Sequence, residues 1–148
     1  MRVCAKQMMA VVMAVAMLSS FGGCKGSGGI AESIAWYNID IPTVKIAPGA
    51  EAPVLVRFVP REGYHWNPEF PARLKLSDAG TVKTPKADFS LSDGDFKDDS
   101  GVGALSIQVA AQAAGQTALK GVADFSMCND KECRIFKKIA VEVPIDVH

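Results

Sequence analysis

Residues 119–147 read LKGVADFSMCNDKECRIFKKIAVEVPIDV. Ahead of the polar loop 129–132, Leu119, Gly121, Ala123, Phe125 and Met127 fall on one face of an extended chain. Behind it, Ile135, Ile139, Val141, Val143, Ile145 and Val147 fall on one face. Period-two patterning on both sides of a short polar loop predicts a β-hairpin with one buried face. Cys128 and Cys133 stand at the mouth of that hairpin, and they are the cysteines expected inside the folded domain.

The register of the hairpin carries a conflict. Setting Cys128 opposite Cys133 places Ser126 against Ile135 and Asp124 against Lys137, so the apolar positions of the two runs land on opposite faces. Setting Met127 opposite Ile135 gives a common apolar face but turns Cys128 toward Arg134. A one-residue slip flips every side chain, so the core-forming register is expected to prevail. The cysteines then meet only through a bulge or an open turn that shifts one of them. The expectation is an irregular, exposed hairpin end.

The rest of the body reads as short strands. Residues 52–59 are β-branched and bounded by prolines, and 43–47, 72–76 and 104–110 form further runs. Proline and glycine punctuate them at Pro60, Gly63, Pro68, Pro71, Gly80, Pro85, Gly94 and Gly115. Short strands with turn signals at this spacing predict an all-β antiparallel sandwich. No segment beyond residue 24 shows a capped helical period. Trp36, Tyr37 and Trp66 are read as core and rim.

Two features invite a ligand. His65 lies in the aromatic cluster Gly63-Tyr64-His65-Trp66-Asn67-Pro68. The other histidine is His148, and the cysteine spacing supplies no second ligand pair, so a packed or surface histidine is the simpler reading. Asp93, Asp95, Asp98 and Asp99 form an acidic patch that lacks the rest of a calcium-loop pattern and reads as a solvated loop. No metal and no cofactor is expected.

Ahead of the domain, Arg2 and Lys6 precede an apolar run over 8–18, too short for a comfortable membrane span and fitting a signal peptide. Phe21-Gly22-Gly23-Cys24 resembles the lipobox of bacterial lipoproteins. The resemblance implies a signal peptide over 1–23, lipidation of Cys24 and, with Lys25 following, the periplasmic face of the outer membrane. Ordinary cleavage nearby, leaving Cys24 a spare thiol, is the alternative. Residues 25–29 read as a glycine-rich tether, and 30–148 as one domain. Beyond Cys24 there are 14 basic and 16 acidic residues, a formal charge of 14 − 16 = −2 once Arg2 and Lys6 are removed. No clustered basic face suggests nucleic acid.

With the hairpin, Gly63-Tyr64 and the strand pattern in view, residues 30–148 resemble the N-terminal periplasmic domain of the thiol:disulfide interchange protein DsbD, here read as a stand-alone lipoprotein. The likeness is carried by Gly63-Tyr64 and by Cys128-Asn129-Asp130 through Cys133, followed by a basic, valine-rich strand ending Val143-Pro144-Ile145. It implies an immunoglobulin-like sandwich that passes electrons to thioredoxin-like periplasmic partners or takes them from a membrane donor. By the same resemblance Cys133 is the attacking cysteine, Cys128 the resolving one, and Phe96 the aromatic of a cap loop. Here Arg134-Ile135-Phe136 replaces the family's aromatic-proline step, and the loop between the cysteines is one residue shorter.

Two functions follow for the pair. One is thiol–disulfide exchange, an oxidoreductase-type activity. The other is a non-catalytic binding or structural lipoprotein with a stabilising disulfide. Closing a loop of about six residues stabilises by roughly 2 kcal/mol of chain entropy, about half what a long loop gives. Lys131, Arg134, Lys137 and Lys138 would favour a thiolate here, while Asp124, Asp130 and Glu132 would oppose it. The spacing picks out no hydrolytic arrangement.

Overall fold

The computed structural model describes residues 36–148. The expected signal peptide, Cys24 and the expected tether lie outside the described residues. The elements are β1 (Tyr37–Asp40), β2 (Val44–Ile46), β3 (Glu51–Pro60), β4 (His65–Trp66), β5 (Arg73–Ser77), β6 (Val82–Lys83), β7 (Asp88–Ser90), β8 (Lys97–Asp99), β9 (Val102–Ala111), β10 (Gly115–Cys128) and β11 (Cys133–Val147). The strands expected from alternation at 43–47, 52–59, 72–76 and 104–110 are present as β2, β3, β5 and β9.

They form two sheets packed face to face, an all-β sandwich. One sheet runs β1-β3-β9-β6, with β8 also on β9. The other runs β2-β11-β10-β5-β7, with β4 also on β10. Pairing is antiparallel except where β2 joins β11 in parallel. β4 and β5 pair with successive stretches of β10, so the long strand carries two short neighbours end to end. Burial follows the alternation. Val54, Val56 and Phe58 of β3 face Leu119, Phe125, Val143 and Ile145 of the opposite sheet across one core.

The hairpin departs from its expected register. Cys128 is directly opposite Cys133, Met127 opposite Arg134, Ser126 opposite Ile135 and Phe125 opposite Phe136. Past a bulge the pairing resumes with Ala123 opposite Ile139 and Gly121 opposite Val141. On β11 the extra residues are Lys137 and Lys138, facing Asp124 alone. Lys138 takes φ 55°, and its N–H donates to Asp124 Oδ1 at 2.7 Å. The bulge thus lies four residues from the cysteines and shifts neither of them. It changes which parity of β11 points inward. Phe136 is buried with Val141, Val143, Ile145 and Val147, whereas Ile135 is 53% exposed. The expected inward Ile135 is therefore an outward residue, because the phase of the strand changes between it and Ile139.

At the hairpin end the core is aromatic. Phe125 meets Phe136 at 5.4 Å, Tyr37 at 4.8 Å and Phe58 at 4.8 Å between ring centroids. Trp66 is fully buried and stacks on Phe125 at 5.9 Å and on Phe96 at 5.7 Å. Its Nε1 is the one buried side-chain polar atom among the described residues without a hydrogen-bond partner, so ring packing alone holds the indole.

That packing needs a bare backbone at Gly103. A Cβ there would lie 2.3 Å from Trp66 Cε3, well inside contact distance. Gly103→Ala is expected to lower stability by about 1–3 kcal/mol through overpacking, read as a fall in the urea midpoint. An unchanged midpoint would show that the indole shifts freely, against its role as the fixed centre of the cluster.

Candidate functional site: the disulfide end of the sandwich

Side chains of β10 at even positions point away from the core, so Cys128 lies on the outer face of its sheet. Cys128 and Cys133 form a disulfide with Cα atoms 4.0 Å apart. They are a non-hydrogen-bonded pair of the antiparallel ladder, the position where opposing residues come closest. The next pair outward closes the hairpin, with Asn129 N donating to Glu132 O at 2.9 Å. Asn129 Oδ1 accepts from the N–H groups of Lys131 and Glu132 at 2.9 and 2.8 Å. A side-chain turn of this kind fixes the loop without glycine. The end of the hairpin is thus regular, and the irregularity expected there sits at the bulge instead.

The two sulfurs stand in unequal surroundings. Cys128 is 5% exposed, whereas Cys133 is solvent-exposed. Cys128 has a neighbour on each side. β4 places His65 directly opposite it on the strand edge away from Cys133. Directly opposed residues of a ladder project to the same face, so His65, Cys128 and Cys133 form one row. Below that row, Ser126 is buried and held by Asn67. The Asn67 N–H donates to Ser126 O at 3.0 Å, and Asn67 Nδ2 to Ser126 Oγ at 3.5 Å.

Two of the cations expected around Cys133, Arg134 and Lys138, are placed otherwise. Arg134 projects to the opposite face, its guanidinium 5.6 Å from the Trp36 ring. Lys138 is in the bulge, where it lines a groove of about 600 Å³ with Arg73, Lys75, Asp88, Val122 and Asp124. Successive residues of a strand point to opposite faces, which a count of neighbours along the sequence ignores. His65, read from the sequence as a packed or surface histidine, is exposed on the outer face. Its place beside Cys128 depends on a two-residue strand pairing across 63 positions of chain, and no local pattern announces that.

Phe96 is a core residue. It is 4% exposed, stacked on Trp66 and 6.0 Å from Phe58. It reaches the disulfide end through Trp66, whose backbone pairs with Met127. The loop that carries it is tied by Asp95. Both Asp95 oxygens accept from Lys86 Nζ at 2.7 Å, and Ser90 N donates to Oδ2 at 2.8 Å. Asp98 Oδ1 accepts from the Gly101 N–H at 2.7 Å. Part of the acidic patch is therefore framework.

No protein-family model matches the chain, and no curated protein matches it. Among solved structures, the chain is similar to domains 4 and 5 of the S-layer protein SbsC, with 16% identity, 75% of this chain and 50% of that chain covered, and a TM-score of 0.38. It is similar to murine CRIg at 11% identity, covering 76% of this chain and 98% of that one, with a TM-score of 0.36. It is also similar to the seventh ScaB type I cohesin from Pseudobacteroides cellulosolvens at 16% identity, covering 76% and 92%, with a TM-score of 0.36. The chain spans half the length of the SbsC fragment.

Two predictions follow from the loop. Phe96→Ala removes a stacked core ring and is expected to cost about 3–5 kcal/mol, measured by chemical denaturation. A loss below about 1 kcal/mol, with faster reduction of the disulfide by a small thiol, would instead make Phe96 a removable shield. Burial raises the Asp95 carboxyl, but the Lys86 ammonium and the Ser90 N–H outweigh it and hold the group below the ordinary value of 3.8. A depressed carboxylate stabilises the fold above its ordinary value, and that contribution is lost as pH falls through the lower folded value. Asp95→Asn should therefore flatten the loss of melting temperature as the pH falls below about 4. Parallel curves for the variant and the parent chain would remove Asp95 from acid unfolding.

Proposed function

We propose that the chain is a lipid-anchored thiol–disulfide exchange module that passes electrons between thioredoxin-like partners through Cys128 and Cys133. The observation that carries this reading is the asymmetry of the disulfide. The buried Cys128 and the exposed Cys133 share an outer sheet face, so an incoming thiolate reaches one sulfur in preference to the other. A bridge between strands already paired on both sides of the loop adds roughly 2 kcal/mol at most, which makes stability a weak reason for it. The resemblance to the DsbD N-terminal domain supports the same assignment of roles. The lipobox-like Cys24 would hold the domain on the periplasmic face of the envelope, at the outer membrane.

The exchange balances as follows. A partner thiolate attacks Cys133 Sγ, a new partner–Cys133 disulfide forms, and the Cys128–Cys133 bond breaks with its electron pair on Cys128 Sγ. The partner's second thiol then displaces Cys133. The partner leaves as a disulfide, and the domain keeps two electrons and two protons as a dithiol. Run backward, the Cys133 thiolate attacks an oxidised partner and Cys128 resolves the mixed disulfide.

Cys128→Ala should accumulate a mixed disulfide through Cys133 with a thioredoxin-like envelope protein, visible on non-reducing gels. Cys133→Ala should accumulate little. The reverse order would overturn the roles. If neither variant traps a partner, each loses about 2 kcal/mol, and the pair's reduction potential lies below about −300 mV, the bridge is a structural staple.

A further inference from the structure

The row His65–Cys128–Cys133 gives the buried sulfur a proton source that the exchange needs. When Cys133 is attacked, the electron pair arrives on Cys128, which is 5% exposed. A thiolate left there without a partner carries the full cost of burial. We infer that His65 is the acid–base group of this site, donating a proton to the Cys128 sulfur as the disulfide opens and withdrawing it when Cys128 resolves a mixed disulfide. The inference rests on the exchange reading above.

The geometry is fixed by the backbone. His65 and Cys128 are direct cross-strand partners, so their Cβ atoms lie roughly 5 Å apart and their side chains leave the sheet on one face. Next to it, Trp66 is fully buried, its backbone N–H donates to Gly101 O at 2.8 Å, and the Asn67 backbone N–H donates to Ser126 O at 3.0 Å. The two-residue strand therefore cannot slide along β10 without breaking both bonds and moving the indole. On its far side His65 meets the turn after β8. A Cβ at Gly101 would lie 3.5 Å from the His65 Cβ, and the φ of 86° there keeps larger residues out. His65 itself is exposed, so its ring is open to water while Cys128 is covered.

The other charges near this row are weaker candidates. Asp98 and Asp99 lie at the turn against His65, Asp130, Lys131 and Glu132 in the hairpin loop, and Glu62 ahead of β4. All are exposed and act across water, where their pull is screened. The Asp98 carboxylate is also engaged with the Gly101 N–H. Arg134 is on the opposite face with Trp36. An imidazole is the side chain suited to give and take a proton near neutral pH.

The test uses the Cys133→Ser chain, in which Cys128 is the one thiol of the folded domain. Its thiolate is titrated by ultraviolet absorbance, which needs no access for a reagent, with circular dichroism confirming the fold at each pH. Adding His65→Gln should raise the titration midpoint by about one pH unit, leaving about tenfold less thiolate at neutral pH. His65→Lys should restore the lower midpoint, because a fixed cation replaces the imidazolium. With both cysteines present, His65→Gln should also slow reduction by dithiothreitol most on the acidic side of neutrality. Superimposable thiolate titrations with and without His65 would overturn the assignment. That outcome is separable from failure of the exchange reading, since failure to trap a partner removes the exchange and leaves the titration measurable.

Discussion

One hydrogen bond, from the Lys138 N–H to Asp124 Oδ1, closes the bulge that reconciles the two ends of the central hairpin. On one side of it, Ala123 through Gly115 pair with Ile139 through Val147 and bring Leu119, Ala123, Val141, Val143, Ile145 and Val147 to the sandwich core. On the other side, Phe125 pairs with Phe136 and Cys128 with Cys133. Without the extra residue these two registers conflict, since a strand of constant phase cannot bury both Phe136 and Val141. A residue in the left-handed region costs about 1–2 kcal/mol. The Asp124 bond and the aromatic packing of Phe136 offset it, each worth on the order of 1 kcal/mol.

The aromatic cluster and the disulfide occupy opposite faces of the same few residues. Phe125, Met127 and Trp66 point inward, while Ser126, Cys128 and His65 point outward. Rigidity is supplied from below and chemistry is presented above. A site on strand backbone is held more narrowly than one on a loop, and Cys128 is fixed by pairing on both edges. β4 is the smallest element that contributes to both layers, with Trp66 in the core and His65 on the surface.

Much of this was legible in the alternation of apolar residues. The inward set Leu119, Ala123, Phe125 and Met127 and the strands around Val54, Leu74 and Ile107 follow from period two, and the sandwich follows from their number. The cysteines could be named from their place beside the turn. What alternation cannot carry is a change of phase within a strand. Ile135 and Ile139 share a parity and were grouped together, but Lys137 and Lys138 between them face one residue, and nothing in a Lys-Lys step marks a bulge. Arg134 stands next to Cys133 in the chain yet opposes it in space. His65 was assigned from local context and Phe96 from the family resemblance, whereas their surroundings come from strands distant in sequence.

The bulge also separates the hairpin into a frame and a tip whose relative orientation depends on a count of residues. Removing one residue at 137–138 would force a choice between a core that keeps Val141 inward and a tip that keeps Phe136 inward. In the first case the disulfide row turns into the sandwich, and in the second the frame presents its apolar side to water. Loop lengths elsewhere in the domain carry no such constraint, since turns at Gly80 and Gly94 lie at the surface and join independent strands. A change of length at those turns would leave the phase of the hairpin untouched, whereas one between Asp124 and Ile139 would reset it.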